Sequence, residues 1–166
     1  ADTLRLQGMA VQGQVLDFGG GIGTHALSAA ALSEVDHVWF VDLNPHNQAF
    51  VQQRSESLGL ADKLSVHRDL SSTGDVRFDA VVCLDVLEHL PDPSAQLLEF
   101  HQRMAPGAIA LLNWYFFKGH QGEYPFHFDD PALVDGFFRT LQAQFLEVFH
   151  PLLITARLYR SLDGSD

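Results

Sequence analysis

The stretch "VLDFGGGIGTHAL", Val15 to Leu27, runs from an apolar segment ending at Asp17 through three consecutive glycines into an alanine-rich segment. A strand, a glycine turn and a helix in that order bring a ligand to the positive end of the helix, against backbone amides that no side chain shields. A dinucleotide fingerprint requires G-x-G-x-x-G, and counting from Gly19 and Gly21 puts Thr24 where the last glycine belongs. What remains is D-x-G-x-G-x-G over Asp17, Gly19, Gly21 and Gly23, with Gly20 read as an incidental third glycine.

Outward from this loop, short β-rich runs alternate with helix-length amphipathic segments. "QVLDF" is followed by Thr24 to Leu32, "HVWFV", Pro45 to Leu58, "KLSVH", "FDAVVCL", Pro93 to Met104 and "AIALLNWYF". That alternation predicts βαβ units, and the nearly continuous apolar strands suit a parallel sheet covered on both faces. Asn44 before Pro45 reads as a helix N-cap, Pro93 opens the next helix and Gly107 is expected to end it. A last helix, from Pro131 to about Gln142, precedes "FLEVFH" and "LITARLYRS", which Pro151 and its neighbours join closely enough to predict an antiparallel edge hairpin. The expected fold is therefore α/β, a Rossmann-like, seven-stranded, mostly parallel sheet in a single domain. The irregular, polar "KGHQGEYPFHFDD", Lys118 to Asp130, is the kind of long loop that covers active sites.

Composition narrows the ligand. With 46% hydrophobic residues, 19% charged residues and 13 Phe, the chain has the makings of an ordered core. A net charge of −11 repels a phosphate backbone, so no nucleic-acid partner is expected. The single cysteine, Cys83, lies inside an apolar run, which excludes a disulfide framework and points to a reducing, cytoplasmic setting. No apolar stretch reaches membrane-spanning length, and "ADTLRLQGMA" lacks a signal-peptide core, so no membrane association is expected.

The glycine loop together with the strand ends resembles the class I S-adenosylmethionine-dependent methyltransferases, over Val15 to about Tyr159. The resemblance implies that Asp42 in "WFVDLNP" accepts both ribose hydroxyls, as a carboxylate suits a vicinal diol. It implies that Leu43 presses on the adenine, and that Asp69 with Leu70 in "VHRDL" reads its amino group. Leu84, at the end of the fourth strand, is assigned to the cofactor side as well. Gly19, Gly21 and Thr24 would cradle the methionine moiety, with Asp17 holding its ammonium. "LDVLEHLPDP" resembles the D-x-x-E-H-x-x-x-P signature of small-molecule enzymes related to quinone biosynthesis. The implied cofactor is S-adenosylmethionine, leaving as S-adenosylhomocysteine, and the implied partner is a small-molecule O, N or C acceptor. The alternative is a non-catalytic, cofactor-binding partner subunit or sensor.

Methyl transfer from a sulfonium needs in-line positioning, and a base only where the acceptor must lose a proton. Asp85, His89 and His127 are the candidate catalytic residues, His120 reads as an exposed loop residue, and Trp114 and Tyr115 are candidates for an aromatic wall. Asp85, Glu88, His89 and His127 also resemble the two-acid, two-histidine metal set of the small-RNA 3′-end methyltransferases. The acidic charge is wrong for RNA, and no metal is expected. Relatives usually place several helical segments before the first strand, whereas about fourteen residues precede Val15 here. A short lid is therefore expected, completed by the 118–130 loop, by a homo-oligomer or by a larger parent chain.

Overall fold

The computed structural model describes residues 11–148, 153 and 155–162. Seven strands, β1 (Gly13–Phe18), β2 (Val35–Val41), β3 (Leu64–His67), β4 (Phe78–Cys83), β5 (Met104–Leu112), β6 (Phe145–Val148) and β7 (Arg157–Ser161), form one sheet in the order β3-β2-β1-β4-β5-β7-β6. The pairs β3–β2, β2–β1, β1–β4 and β4–β5 are parallel, and β7 runs antiparallel to both β5 and β6. The expected antiparallel edge is present, with β7 starting at Arg157; Pro151 lies outside the described residues. β1 is central, and the chain winds from it first toward β3 and then toward β5. The carboxyl ends of β1 and β4 flank the switch point, where open α/β sheets bind ligands.

Strand alternation covers both faces. Val15, Val38, Phe40, Ala80 and Ile109 pack with α1 (Thr24–Ala30) and with Val51 of α2 (Pro45–Ser57). Leu16, Val81, Cys83, Ala110 and Leu112 pack with Leu97 and Phe100 of α3 (Pro93–Arg103) and Phe137 and Leu141 of α4 (Pro131–Gln144). Three helices start with the same device: Asn44-Pro45, Asp92-Pro93 and Asp130-Pro131 each put a side-chain oxygen on amides of the first turn. Proline at N1 sacrifices only an N–H that has no intrahelical partner.

Two boundaries differ from expectation. α3 ends at Arg103, and β5 begins at once with Met104, because the segment pairs with Phe78 of β4 before reaching Gly107. Gly107, at φ 76, sits in the irregularity where register jumps from Phe78↔Met104 to Ala80↔Ile109, so it bends a strand instead of ending a helix. At its other end β5 stops at Leu112, short of the "NWYF" that sequence patterning assigns to it.

Candidate functional site

The turn after β1 is held from below and from the side. α1 has Gly23 as its N-cap and no side-chain cap of its own; the cap comes from Asp17, whose Oδ2 accepts the amide of Ala26 at 2.9 Å. Asp17 is 2% exposed, and burial pushes its carboxyl up to about 7, an effect the Ala26 hydrogen bond opposes and the nearby Asp42 charge reinforces. Gly20 is far from incidental. A Cβ there would lie 2.5 Å from Asp17 Oδ2 and 2.7 Å from the ring of Phe40, so the glycine is what lets β1's acid reach under the loop.

From the side, Asp42 Oδ2 accepts the Gly21 amide at 2.9 Å, joining the glycine loop to the end of β2. Its Oδ1 accepts the Asn44 amide at 2.8 Å, and Asn47 Nδ2 lies at 3.2 and 3.3 Å from the two oxygens. Gln48 Nε2 donates to the Asp42 carbonyl at 2.6 Å. Helix capping does not explain Asp42, because Asn44 caps α2, bonding the His46 amide at 2.9 Å.

A cavity of about 550 Å³ opens at the carboxyl ends of β1, β2, β3 and β4. Gly19, Asp42, Leu43, Asp69 and Leu70 all line it, and so does His89. Phe18, Val86 and Gln96 are among the further lining residues that no sequence motif announces, and Arg68 and Glu99 add charge to the wall. Asp69 also caps the short turn Leu70–Thr73, accepting Ser71 Oγ at 2.6 Å and the Ser72 amide at 3.1 Å; these bonds, Ser71's first, hold its carboxyl below the usual range. Asp17, Gly21, Thr24 and Leu84 do not line this cavity, and Thr24 faces a separate depression beside Ile22 and Phe50.

The acceptor side is built at the ends of β4 and β5. Asp85 has φ 56, the left-handed region that a non-glycine residue rarely adopts. Asn113 holds it there: its Oδ1 accepts the Asp85 amide at 2.5 Å, and its Nδ2 donates to Asp85 Oδ1 at 2.9 Å. The following turn, Leu87–His89, buries Glu88 at 2% exposure and presents His89. The 118–130 loop folds back onto it. Phe128 donates its amide to the Glu88 carbonyl at 2.8 Å, and Lys118 pairs with Asp129 at 3.4 Å across the loop's base. His127 thereby comes against His89, ring centroids 4.7 Å apart, while Tyr124 stacks on His127 at 5.0 Å. Of the expected aromatic wall only Tyr115 belongs here, 48% exposed and 5.8 Å from His127. Trp114 turns the other way and packs on Phe137, Phe138 and Tyr159, since the residue after Asn113 falls on the core side.

Residues 3–133 match a family model described as a methyltransferase domain. The chain belongs to the class I methyltransferases. Ubiquinone biosynthesis O-methyltransferase from Psychrobacter cryohalolentis is 31% identical over 118 residues, covering 68% of this chain and 45% of that protein. The protein of the same name from Pseudomonas syringae is 32% identical over 102 residues, 60% of this chain and 43% of the other. The chain thus spans less than half the length of these curated relatives. Among solved structures, the PH0226 protein from Pyrococcus horikoshii superposes with a TM-score of 0.71 at 16% identity, over 97% of this chain and 87% of that one. A structure described by the conversion of a disulfide bond into a thioacetal group during echinomycin biosynthesis gives 0.66 at 23% identity, over 96% and 80%. These two likenesses concern the fold. In this methyltransferase domain the residues that sequence reasoning missed are Asn47, Gln48 and Asn113, each of which fixes an acid the motifs single out. No helix among the described residues is long and apolar enough to cross a membrane.

Proposed function

We propose that the protein transfers a methyl group from S-adenosylmethionine to a small-molecule acceptor, most readily a phenolic hydroxyl. The observation that carries this reading is the cavity in which Gly19, Asp42, Leu43, Asp69 and Leu70 meet at the ends of β1, β2 and β3. In it the ribose diol takes Asp42, displacing Asn47, whose contacts of 3.2 and 3.3 Å are the longest that the carboxylate makes. Leu43 and Leu70 offer apolar contact to the adenine, and Asp69 accepts from its amino group. Asp17 acts from beneath the loop, which its bond to the Ala26 amide holds in place, and the turn from Gly19 to Thr24 cradles the methionine moiety.

The reacting carbon leaves sulfur with the sulfur–carbon bond pair going to sulfur, and the acceptor atom forms the new bond from the opposite side. Alignment in a water-poor cleft supplies much of the acceleration. A hydroxyl acceptor gives up its proton to the basic group of this side, the His89–His127 pair, and the aromatic edges of Tyr115 and Tyr124 border the same face. Asp85, engaged with Asn113, holds the turn that presents the pair. The phenolic choice is supported by the acidic surface, which disfavours nucleic acid, and by the O-methyltransferase names of the relatives. The 118–130 loop borders the acceptor side, where the Phe128 amide bonds the Glu88 carbonyl.

Calorimetry with S-adenosylmethionine and S-adenosylhomocysteine tests the cofactor half. Absence of binding to either overturns it. Formation of S-adenosylhomocysteine with a panel of catechols, simple phenols, amines and carboxylates tests the acceptor half, and turnover confined to amines or carboxylates overturns the phenolic assignment.

A further inference from the structure

His67, the last residue of β3, stands between the two acids of the donor side. Its backbone carbonyl accepts the Asp42 amide at 3.1 Å, continuing the β2–β3 ladder one step past Val41. Its side chain reaches the other way, toward the turn Leu70–Thr73 that Asp69 caps. Nδ1 lies 3.2 Å from Ser72 Oγ, and Nε2 lies 2.8 Å from Ser65 Oγ. Ser65 Oγ in turn lies 2.8 Å from Nε2 of His37 on β2.

Hydroxyl chemistry places the protons along this chain. Ser72 Oγ donates its single proton to the Asp69 carbonyl, 2.7 Å away, so toward His67 it only accepts, and Nδ1 carries the imidazole proton. Burial, the largest cause, holds both imidazoles below their usual range; Ser72 and Asp69 oppose it at His67, and His67 adds to it at His37. Both rings are therefore uncharged at neutral pH. A neutral ring protonated on Nδ1 keeps a lone pair on Nε2, which accepts from Ser65 Oγ, whose oxygen accepts from His37 Nε2. The bonds run in one direction, from His37 on β2 through Ser65 and His67 on β3 to Ser72 and the Asp69 carbonyl.

The exposed Asp69 carboxylate bonds Ser71 Oγ and the Ser72 amide, both in its own turn. Those bonds fix the acid relative to the turn but not relative to the cavity. Leu70 and Thr73 are buried and moor the turn by packing, while His67 ties Ser72, and through it the Asp69 backbone, to the sheet.

We propose that His67 is a positioning residue of the donor site, holding Asp69 where it distinguishes adenine from hypoxanthine. The role rests on the assignment of adenine to Asp69. A carboxylate accepts from the amino group of adenine and repels the carbonyl oxygen that replaces it in hypoxanthine, so selectivity depends on how firmly the acid is placed. Two substitutions separate placement from packing. An Asn amide superposes on the Cγ–Nδ1 half of the ring, keeping the donor to Ser72 and giving up Ser65. A Gln amide reaches the Nε2 position, keeping Ser65 and giving up Ser72.

The test is calorimetry at neutral pH with S-adenosylhomocysteine and with S-inosylhomocysteine, in which oxygen replaces the purine amino group. The wild type should favour the adenosyl compound by about tenfold or more, the range of a hydrogen bond to a charged group. His67→Asn should keep that ratio, whereas His67→Gln and Ser72→Ala should each lower it by about threefold or more, as expected for one lost neutral hydrogen bond. Melting temperatures report that the variants stay folded. Wild-type discrimination in both His67→Gln and Ser72→Ala overturns the role, as does a His67→Asn ratio that falls as far as that of His67→Gln, the mark of lost packing. Equal binding of the two compounds by the wild type instead removes the adenine assignment, and the role of His67 with it. The ¹⁵N shifts of the His67 ring in the ligand-free protein read the tautomer independently of any cofactor, and a ring protonated on Nε2 alone also overturns the proposal.

Discussion

Replacing Gly20 with alanine should damage the protein through space alone. The added Cβ would meet Asp17 Oδ2 at 2.5 Å, Asp17 Cγ at 2.7 Å and Phe40 Cε2 at 2.7 Å, all inside contact distance. Neither neighbour can yield easily. Phe40 is fully buried between β1 and the α1 face, and Asp17 is tied to the Ala26 amide that starts α1. Overpacking of this kind costs about 1–3 kcal/mol, and a shift of Asp17 also weakens a buried hydrogen bond. A loss of about 2 kcal/mol corresponds to a melting temperature lower by about 4–8 °C in a chain of this size. Gly21 makes the informative contrast. Nothing lies within 4 Å of its virtual Cβ, but its φ is +56, so Gly21→Ala pays only for left-handed backbone, about 1 kcal/mol. Thermal unfolding by circular dichroism measures both, and S-adenosylhomocysteine affinity shows whether the loop has moved. A Gly20→Ala protein that melts with the wild type, or above Gly21→Ala, refutes the account of how Asp17 reaches beneath the loop.

Asp42→Asn should weaken S-adenosylhomocysteine by about 1.5–3 kcal/mol, roughly ten- to a hundredfold in Kd, as hydrogen bonds lose their charged acceptor; an unchanged Kd by calorimetry removes the ribose assignment. Asp17→Asn should be more stable than the wild type at neutral pH. The Asp17 carboxyl, raised from 3.8 to about 7 mainly by burial, makes the native state bind the extra proton, so wild-type stability falls as pH rises from 4 to 7 and then levels off. The stability gap between variant and wild type should widen over that interval toward about 4 kcal/mol as a ceiling, at 1.36 kcal/mol per pH unit, and a pH-independent gap contradicts it. His37 and His67, which share Ser65 Oγ at 2.8 Å each and flank Trp39, are held below the usual imidazole range chiefly by burial. Their contribution is present above pH 6.5 and lost as pH falls through their lowered values, so a double His37→Asn, His67→Asn variant should show a flatter acid limb in a melting-temperature series.

Much of this site is legible in the sequence, because its parts are local. Asp17, Asp42 and Asp69 each follow an apolar run, and a parallel sheet brings the ends of such runs to one edge. Asn44-Pro45 announces its helix through bonds that span two residues. What escaped detection depends on contacts between distant positions. Nothing in "LLNWYF" indicates that Asn113 leaves the strand to clamp Asp85, 28 residues earlier, or that Trp114 therefore faces the core. The need for glycine at position 20 comes from Phe40 on the next strand, which no reading of "GGGIG" contains. His127 could be singled out by type, but its approach to Glu88 and His89 depends on how the 118–130 loop returns. Gly107 lies within a strand and not at a helix end because pairing with β4 outweighs the local propensity for a helix end.

The order of the sheet also divides the site along the chain. The acids and glycines assigned to the proposed cofactor come from positions 17–70, at the ends of β1, β2 and β3; the segment after β4 shares the cavity wall through Val86, His89 and Gln96, and the loop after β5 reaches only the acceptor side. The two sets meet across the boundary between β1 and β4. Mutational drift in the loop after β5 can therefore retune which molecule is modified while the donor-binding half stays untouched, and grafting that loop between relatives is the natural route to altered selectivity.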